Sequence, residues 1–147
     1  MKIVIANDHA AIRLKHDIVE YLKDKAIVTD LGAQAREGLD YPDYARRVTD
    51  GITSGQYDMG ILVCGTGAGM CMSANKVNGI RAVVCSDSFT ARMARAHNDA
   101  NIICMGERVV GDELAKVILD EFLNTPFEGG RHAGRVAKIM AFETAND

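Results

Sequence analysis

Five short apolar runs punctuate the chain, and each leads into a segment whose apolar residues recur at helical spacing. The runs are Lys2 to Ala6, Ala26 to Leu31, Met59 to Val63, Ile80 to Cys85 and Ile102 to Met105. Runs so short and so uniformly apolar suit strands covered on both faces. Regular alternation of strand and helix predicts an α/β fold, a three-layer α/β/α Rossmann-like sandwich around a five-stranded parallel sheet.

The first helix is expected from about Ala10 to Lys25, where Ala11, Leu14, Ile18, Tyr21 and Leu22 share a stripe. Pro42 suits the first turn of a second helix, buried through Ala45, Val48 and Ile52 and ended by Gly55. A short helix spans about Met70 to Lys76, and Asp87 or Ser88 caps the next, which runs toward His97. Asp112 to Leu123 and a segment starting near Arg131 or His132 complete the set. A chain of 147 residues makes one domain, 1–147, with a core of its own. It shows no internal repeat, linker or low-complexity segment.

The net charge of −3 provides no field that favours nucleic acid or an anionic membrane. An anionic ligand must therefore meet a local basic cluster. No apolar run approaches the roughly 20 residues of a membrane span. The N-terminus enters a strand directly, without a signal-peptide pattern. The four cysteines, Cys64, Cys71, Cys85 and Cys104, form no Cys-x-x-Cys pair, which is expected of free thiols in a reducing cytoplasm. Cys85 and Cys104 close apolar runs and are expected in the core. Cys and His spacings fit no tetrahedral zinc pattern, so no metal is expected.

Parallel strands bring their C-terminal ends to one rim, where open sheets bind ligands. That rim should carry Asp8 and His9 after the first strand, Cys64 and Thr66 after the third, Asp87 after the fourth and Arg108 after the fifth. The stretch Gly60 to Gly69 is central: an apolar strand stops at Cys64 and turns glycine-rich. Cys64 is either a core thiol or a thiolate stabilised by backbone N–H groups and a helix N-terminus. The loop Gly65-Thr66-Gly67-Ala68-Gly69 can cradle a phosphate or a developing oxyanion. It is not a P-loop, because no Gly-Lys-Ser/Thr follows, and it lacks the full dinucleotide pattern.

Asp8 has helix capping as its alternative, and His97 has the simple role of ending a helix. His16 sits among charged residues and is expected in solvent, which leaves His9 as the better placed of the two. Arg131 and Arg135 are four apart and share a helix face, either as a phosphate clamp or as a solvated basic surface.

Several motifs occur together: Asn7-Asp8-His9-Ala10, Asp40-Tyr41-Pro42, Cys64-Gly65-Thr66-Gly67 with Ala74-Asn75-Lys76, His97-Asn98-Asp99-Ala100-Asn101, Gly106-Glu107-Arg108-Val109-Val110-Gly111, and Gly129-Gly130-Arg131-His132 with Arg135. In this order, over nearly the whole chain, they resemble the type B ribose-5-phosphate isomerase family, a group that includes galactose-6-phosphate isomerase subunits. The resemblance implies a metal- and cofactor-free aldose–ketose isomerisation of ribose 5-phosphate and ribulose 5-phosphate through an enediolate. It implies Cys64 as base, Thr66 as a relay or donor to the sugar, His97 as the ring-opening acid and Asp8 as its counterpart. It implies that Gly65, Gly67, Ala68 and Gly69 support the enediolate, that Asn98 and Tyr41 contact the sugar, and that His9, Arg108, Arg131 and Arg135 hold the phosphate.

A subgroup of that family replaces the cysteine by a glutamate six positions later; here that position is Met70, which is no base. Asn7 and Ala11, where many relatives carry other small residues, are departures beside the site. The resemblance also implies a homodimer or a tetramer built from it. Its active sites lie between subunits, and the C-terminal helix, about 131–145, reaches the neighbour. Allose 6-phosphate or galactose 6-phosphate isomerisation is the near alternative, and a noncatalytic sugar-phosphate-binding module the distant one.

Overall fold

The structure, a computed structural model, describes residues 1–36 and 38–145. Five strands form one parallel sheet: β1 (Lys2–Asn7), β2 (Ile27–Asp30), β3 (Met59–Cys64), β4 (Ala82–Val84) and β5 (Ile102–Gly106), in the order β2-β1-β3-β5-β4. Among the described residues six α-helices accompany them: α1 (Ile12–Leu22), α2 (Tyr41–Thr53), α3 (Ala68–Ala74), α4 (Ser88–Asn98), α5 (Asp112–Asn124) and α6 (Arg131–Ala145).

The pleat divides each central strand between two cores. Ile3, Ile5, Ile61, Val63, Ile103 and Met105 face one side, where Leu14, Ile18, Ala91, Ile118, Leu119 and Phe122 of α1, α4 and α5 cover them. Val4, Ala6, Leu62, Cys64, Ile102 and Cys104 face the other, covered by Tyr44, Ala45, Val48, Met70 and Ala74 of α2 and α3. The expected three layers are therefore present. Met70, the position of the alternative carboxylate base, is fully buried in this second core.

Local boundaries differ from the sequence expectation in ways that shape the rim. The first helix does not begin at Ala10. Asp8 Oδ1 accepts the Ala10 N–H at 2.9 Å and its carbonyl accepts the Ala11 N–H, which winds His9–Ala11 into a tight 3₁₀ turn before α1. α1 also ends at Leu22 rather than Lys25. α3 starts at Ala68, two residues before the expected Met70, because Gly67 takes a left-handed conformation at φ 84° and redirects the chain immediately after Cys64.

The outer strands are not covered on both faces as the apolar runs predicted. β2 keeps Ile27 66% exposed, and β4 is only three residues long with Val84 outward. These are the sheet edges, where packing from one side is missing.

α6 departs most from a globular helix. His132 is its one buried residue, while Ile139 and Phe142 are exposed. The helix leans on α4 and leaves most of its surface away from the domain.

Candidate active site

β1 and β3 are adjacent, yet β1 connects onward to β2 on one side and β3 lies on the other. Their C-terminal ends flank the switch point of the sheet, the usual ligand crevice of such folds. A cavity of about 360 Å³ opens there, lined by Asp8, His9, Tyr41, Cys64, Gly65, Thr66, Gly69 and Arg108, with Ala10 and Met72 completing it.

Cys64 is the last residue of β3 and is only 5% exposed, yet it lines the cavity. Its Sγ accepts the Gly67 N–H at 3.1 Å. That contact ties the thiol to the turn that follows the strand. Gly67 is required for this turn. A Cβ there would lie 2.9 Å from the Met105 carbonyl carbon, in addition to the cost of the positive φ.

Thr66 is exposed, and its Oγ1 accepts the Ala68 N–H at 3.2 Å. A hydroxyl whose oxygen is already engaged has its own O–H to give. Two loop amides expected to face a charged intermediate are therefore committed elsewhere: Gly67 to the thiol and Ala68 to Thr66. The Gly106 backbone approaches so closely that a Cβ would meet Thr66 backbone atoms at 2.6 Å.

β5 delivers the cationic wall. The Glu107 N–H donates to the Cys64 carbonyl at 2.9 Å and the Arg108 N–H to the Gly65 carbonyl at 3.1 Å, so the two loops are stitched together. Arg108 lies over Gly65, its guanidinium 3.0 Å from where a Cβ would stand. Glu107 points the other way: it accepts the Leu14 N–H at 3.0 Å and pairs with Arg13, tying the start of α1 to β5. A neighbouring cavity of about 610 Å³ shares His9 and Arg108 and adds Arg13 and Arg36.

Asp8 and His9 reach this wall from β1, and Tyr41 reaches it from the first turn of α2, against Gly69. Asp8 caps the 3₁₀ turn and also lines the cavity. Asp87 does not join them. It caps α4 by accepting the Thr90 N–H at 2.7 Å and does not line the Cys64 cavity. His16 is exposed, as its neighbours predicted.

The remaining expected residues are assembled elsewhere in the same chain. His97, near the end of α4, stacks on His132 of α6 with ring centroids 4.2 Å apart and planes 8° from parallel. Glu128 approaches both, at 3.9 Å from His97 Nε2 and 3.5 Å from His132 Nε2. Burial holds the His132 pKa below its ordinary value, and His97 and Arg131 push the same way.

Asn98 lines a third cavity, about 680 Å³, between β4, α4 and α6, which has no residue in common with the Cys64 cavity. Arg131 and Arg135 are exposed on α6. None of these four lines the Cys64 cavity of its own chain.

Sequence reasoning gave no role to Glu128 or His132. They meet His97 only through the packing of α4 on α6, and no spacing in the chain signals it. The side chains of His97, Glu128 and His132 lie close enough together to invite a metal ion. Lone pairs of stacked rings run in near-parallel planes, however, and do not converge on one ion as zinc coordination needs.

A parallel sheet with a cavity at its switch point, and a thiol facing a backbone N–H at the cavity edge, place this chain among α/β proteins that bind small ligands beyond their strand ends. A profile of the Ribose/Galactose Isomerase family matches residues 3–139. The chain is 48% identical over 143 residues to ribose-5-phosphate isomerase B of Escherichia coli (strain K12), covering 97% of this chain and 96% of the other. It is 47% identical to D-erythrulose-4-phosphate isomerase of Pectobacterium atrosepticum, over 97% of this chain and 95% of that one. The solved structure of Clostridium thermocellum ribose-5-phosphate isomerase B superposes with a TM-score of 0.97 at 49% identity, each chain fully covered. The chain belongs to the ribose/galactose isomerase family and is an isomerase.

Proposed function

We propose that the chain interconverts D-ribose 5-phosphate and D-ribulose 5-phosphate through an enediolate, with no metal or cofactor. The observation that carries this reading is Cys64 Sγ, buried at the edge of a cavity and facing the Gly67 N–H at 3.1 Å. A thiolate so placed removes a proton from C2 of the aldose or C1 of the ketose and returns it to the neighbouring carbon. Positioned acid–base groups contribute on the order of 10²–10⁴-fold each. Thr66 donates its O–H to the oxygens that gain charge. His9 and Arg108 take the phosphate at the cationic end of the cavity. The names of the relatives support the pentose substrate.

The furanose form must first open. His97 is the acid for that step, Asp8 accepts the hydroxyl proton, and Asn98 holds sugar hydroxyls. Arg131 and Arg135 complete the phosphate site. Because these α4 and α6 residues lie outside the Cys64 cavity of their own chain, a second copy supplies them. The working unit is a homodimer, or a tetramer of two such dimers. Free thiols suit a cytoplasmic setting.

The test is NMR in deuterium oxide with ribose, allose and galactose phosphates and with erythrulose 4-phosphate. Ribose 5-phosphate should isomerise fastest, with deuterium entering at the carbon that receives the proton. Cys64→Ala should lower kcat by roughly 10²–10⁴-fold while inorganic phosphate still binds. Turnover near wild type in that variant would remove Cys64 from the base role.

A further inference from the structure

His97 is held by more than its own helix. Glu128 follows α5 and precedes α6, and its backbone N–H donates to the Ala96 carbonyl at 3.0 Å, fixing it beside the end of α4. From there one carboxylate oxygen, Oε2, faces both imidazoles. The His132 ring is 92% covered and forms the floor of the stack, while His97 remains 38% exposed and Glu128 56%. The His97 ring thus has one face on His132, its Nε2 toward a carboxylate, and an open side.

Two stacked imidazoles do not share two protons readily, because like charges at such a distance repel. Burial first, then His97 and Arg131, hold the His132 pKa below its ordinary value; Glu128 opposes them and Arg135 adds to them. His97 is the accessible ring of the pair, and the Glu128 carboxylate stands beside its Nε2.

We propose that Glu128 is a positioning residue for His97: its carboxylate and the His132 ring together fix the His97 imidazole for delivering a proton to the ring oxygen of a furanose substrate. The inference rests on His97 being the ring-opening acid of the proposed isomerase. In that step the proton passes from His97 to O4 as the C1–O4 bond breaks. The O1–H proton passes to Asp8, and its electron pair forms the C1=O1 carbonyl. Glu128 touches no reacting atom.

The two directions of the reaction separate this role from a general structural one. A ketopentose 5-phosphate has its C5 oxygen esterified and cannot close a furanose ring, so proton removal from C1 needs no ring opening. Glu128→Gln should therefore lower kcat on ribose 5-phosphate by about tenfold, a fraction of what a positioned acid contributes, with KM within about twofold. Exchange of the C1 proton of ribulose 5-phosphate with deuterium should stay near wild type. Glu128→Asp, which keeps the charge, should recover part of the loss. Because Glu128 is largely exposed, both variants should keep the native Tm.

Equal loss in isomerisation and exchange, or no loss in either, would overturn the positioning role while leaving the isomerase reading intact. A wild-type protein that neither isomerises nor exchanges would instead overturn the isomerase reading, and this inference with it.

Discussion

At the scale of single residues, the four cysteines have one chemistry and separate environments. Cys64 keeps a backbone donor and a cavity. Cys71, one turn into α3, has its pKa lowered to about 7, first by hydrogen bonding with the Cys104 thiol, against partial burial, and then by the Val84 backbone and Asn75. Burial pushes Cys85 up to about 12, with Asp87 adding to it, and drives fully buried Cys104 well above the ordinary thiol value. Only a thiolate alkylates readily. With iodoacetamide, Cys71 should be modified at lower pH than Cys85 or Cys104, as peptide mass spectrometry would report. Modification of Cys85 first at neutral pH would contradict this order. The core placement of Cys85 and Cys104 was readable from the sequence, because both belong to apolar runs. The activation of Cys71 was not, because its partner comes from a strand distant in sequence.

At the scale of elements, the turn from β3 into α3 carries the site. Gly67→Ala places a methyl against the Met105 backbone at a positive φ, which should cost roughly 1–3 kcal/mol and displace the N–H that faces Cys64. Activity should fall further than the change in denaturation midpoint alone explains; an active, equally stable variant would show that the turn tolerates the side chain. The glycine-rich spacing was legible in the chain, but the direction of its amides was not.

On the opposite edge, α1 is tied to β2 by Lys15, which is nearly fully buried. Its Nζ lies 2.7 Å from Asp30 Oδ2 and 3.1 Å from the Ala33 carbonyl. Burial raises the Asp30 pKa, but hydrogen bonds from Lys15, the Gly32 N–H and Gln34, with the Lys15 charge, outweigh it and leave the pKa lowered. A lowered folded-state pKa means that the stabilisation is complete above the unfolded value of about 3.9 and is lost as pH falls through the folded value. Asp30→Asn should therefore flatten the loss of stability below about pH 4, measured by urea unfolding at a series of acid pH values. An unchanged acid slope would mean that other carboxylates dominate.

At the scale of the whole molecule, the proposed sharing of the site between two chains makes its own prediction. If His97 completes the Cys64 cavity of a second chain, Cys64→Ala and His97→Asn are each inactive alone yet complement one another. Unfolding and refolding an equal mixture would produce mixed dimers with one intact site, for roughly a quarter of wild-type activity in a two-fold arrangement. A mixture as inactive as its components would place both residues in the same chain's site. The exposed face of α6, with Ile139 and Phe142, is the surface such a dimer would cover.

The sequence by itself determined the layers and the rim. Alternating apolar runs and helical stripes are local patterns, and a parallel sheet brings its strand ends to one side whatever the packing details. Asp8, His9, Cys64, Thr66 and Arg108 therefore share a rim on sequence grounds alone, and they line one cavity. Only the tertiary structure decided that Asp87 stays out of the Cys64 cavity, that the Gly67 and Ala68 amides serve Cys64 and Thr66, and that His97 is stacked on His132 beside Glu128. Those outcomes depend on the angle of one helix against another and on which way a peptide plane turns. Side-chain spacing along the chain encodes neither.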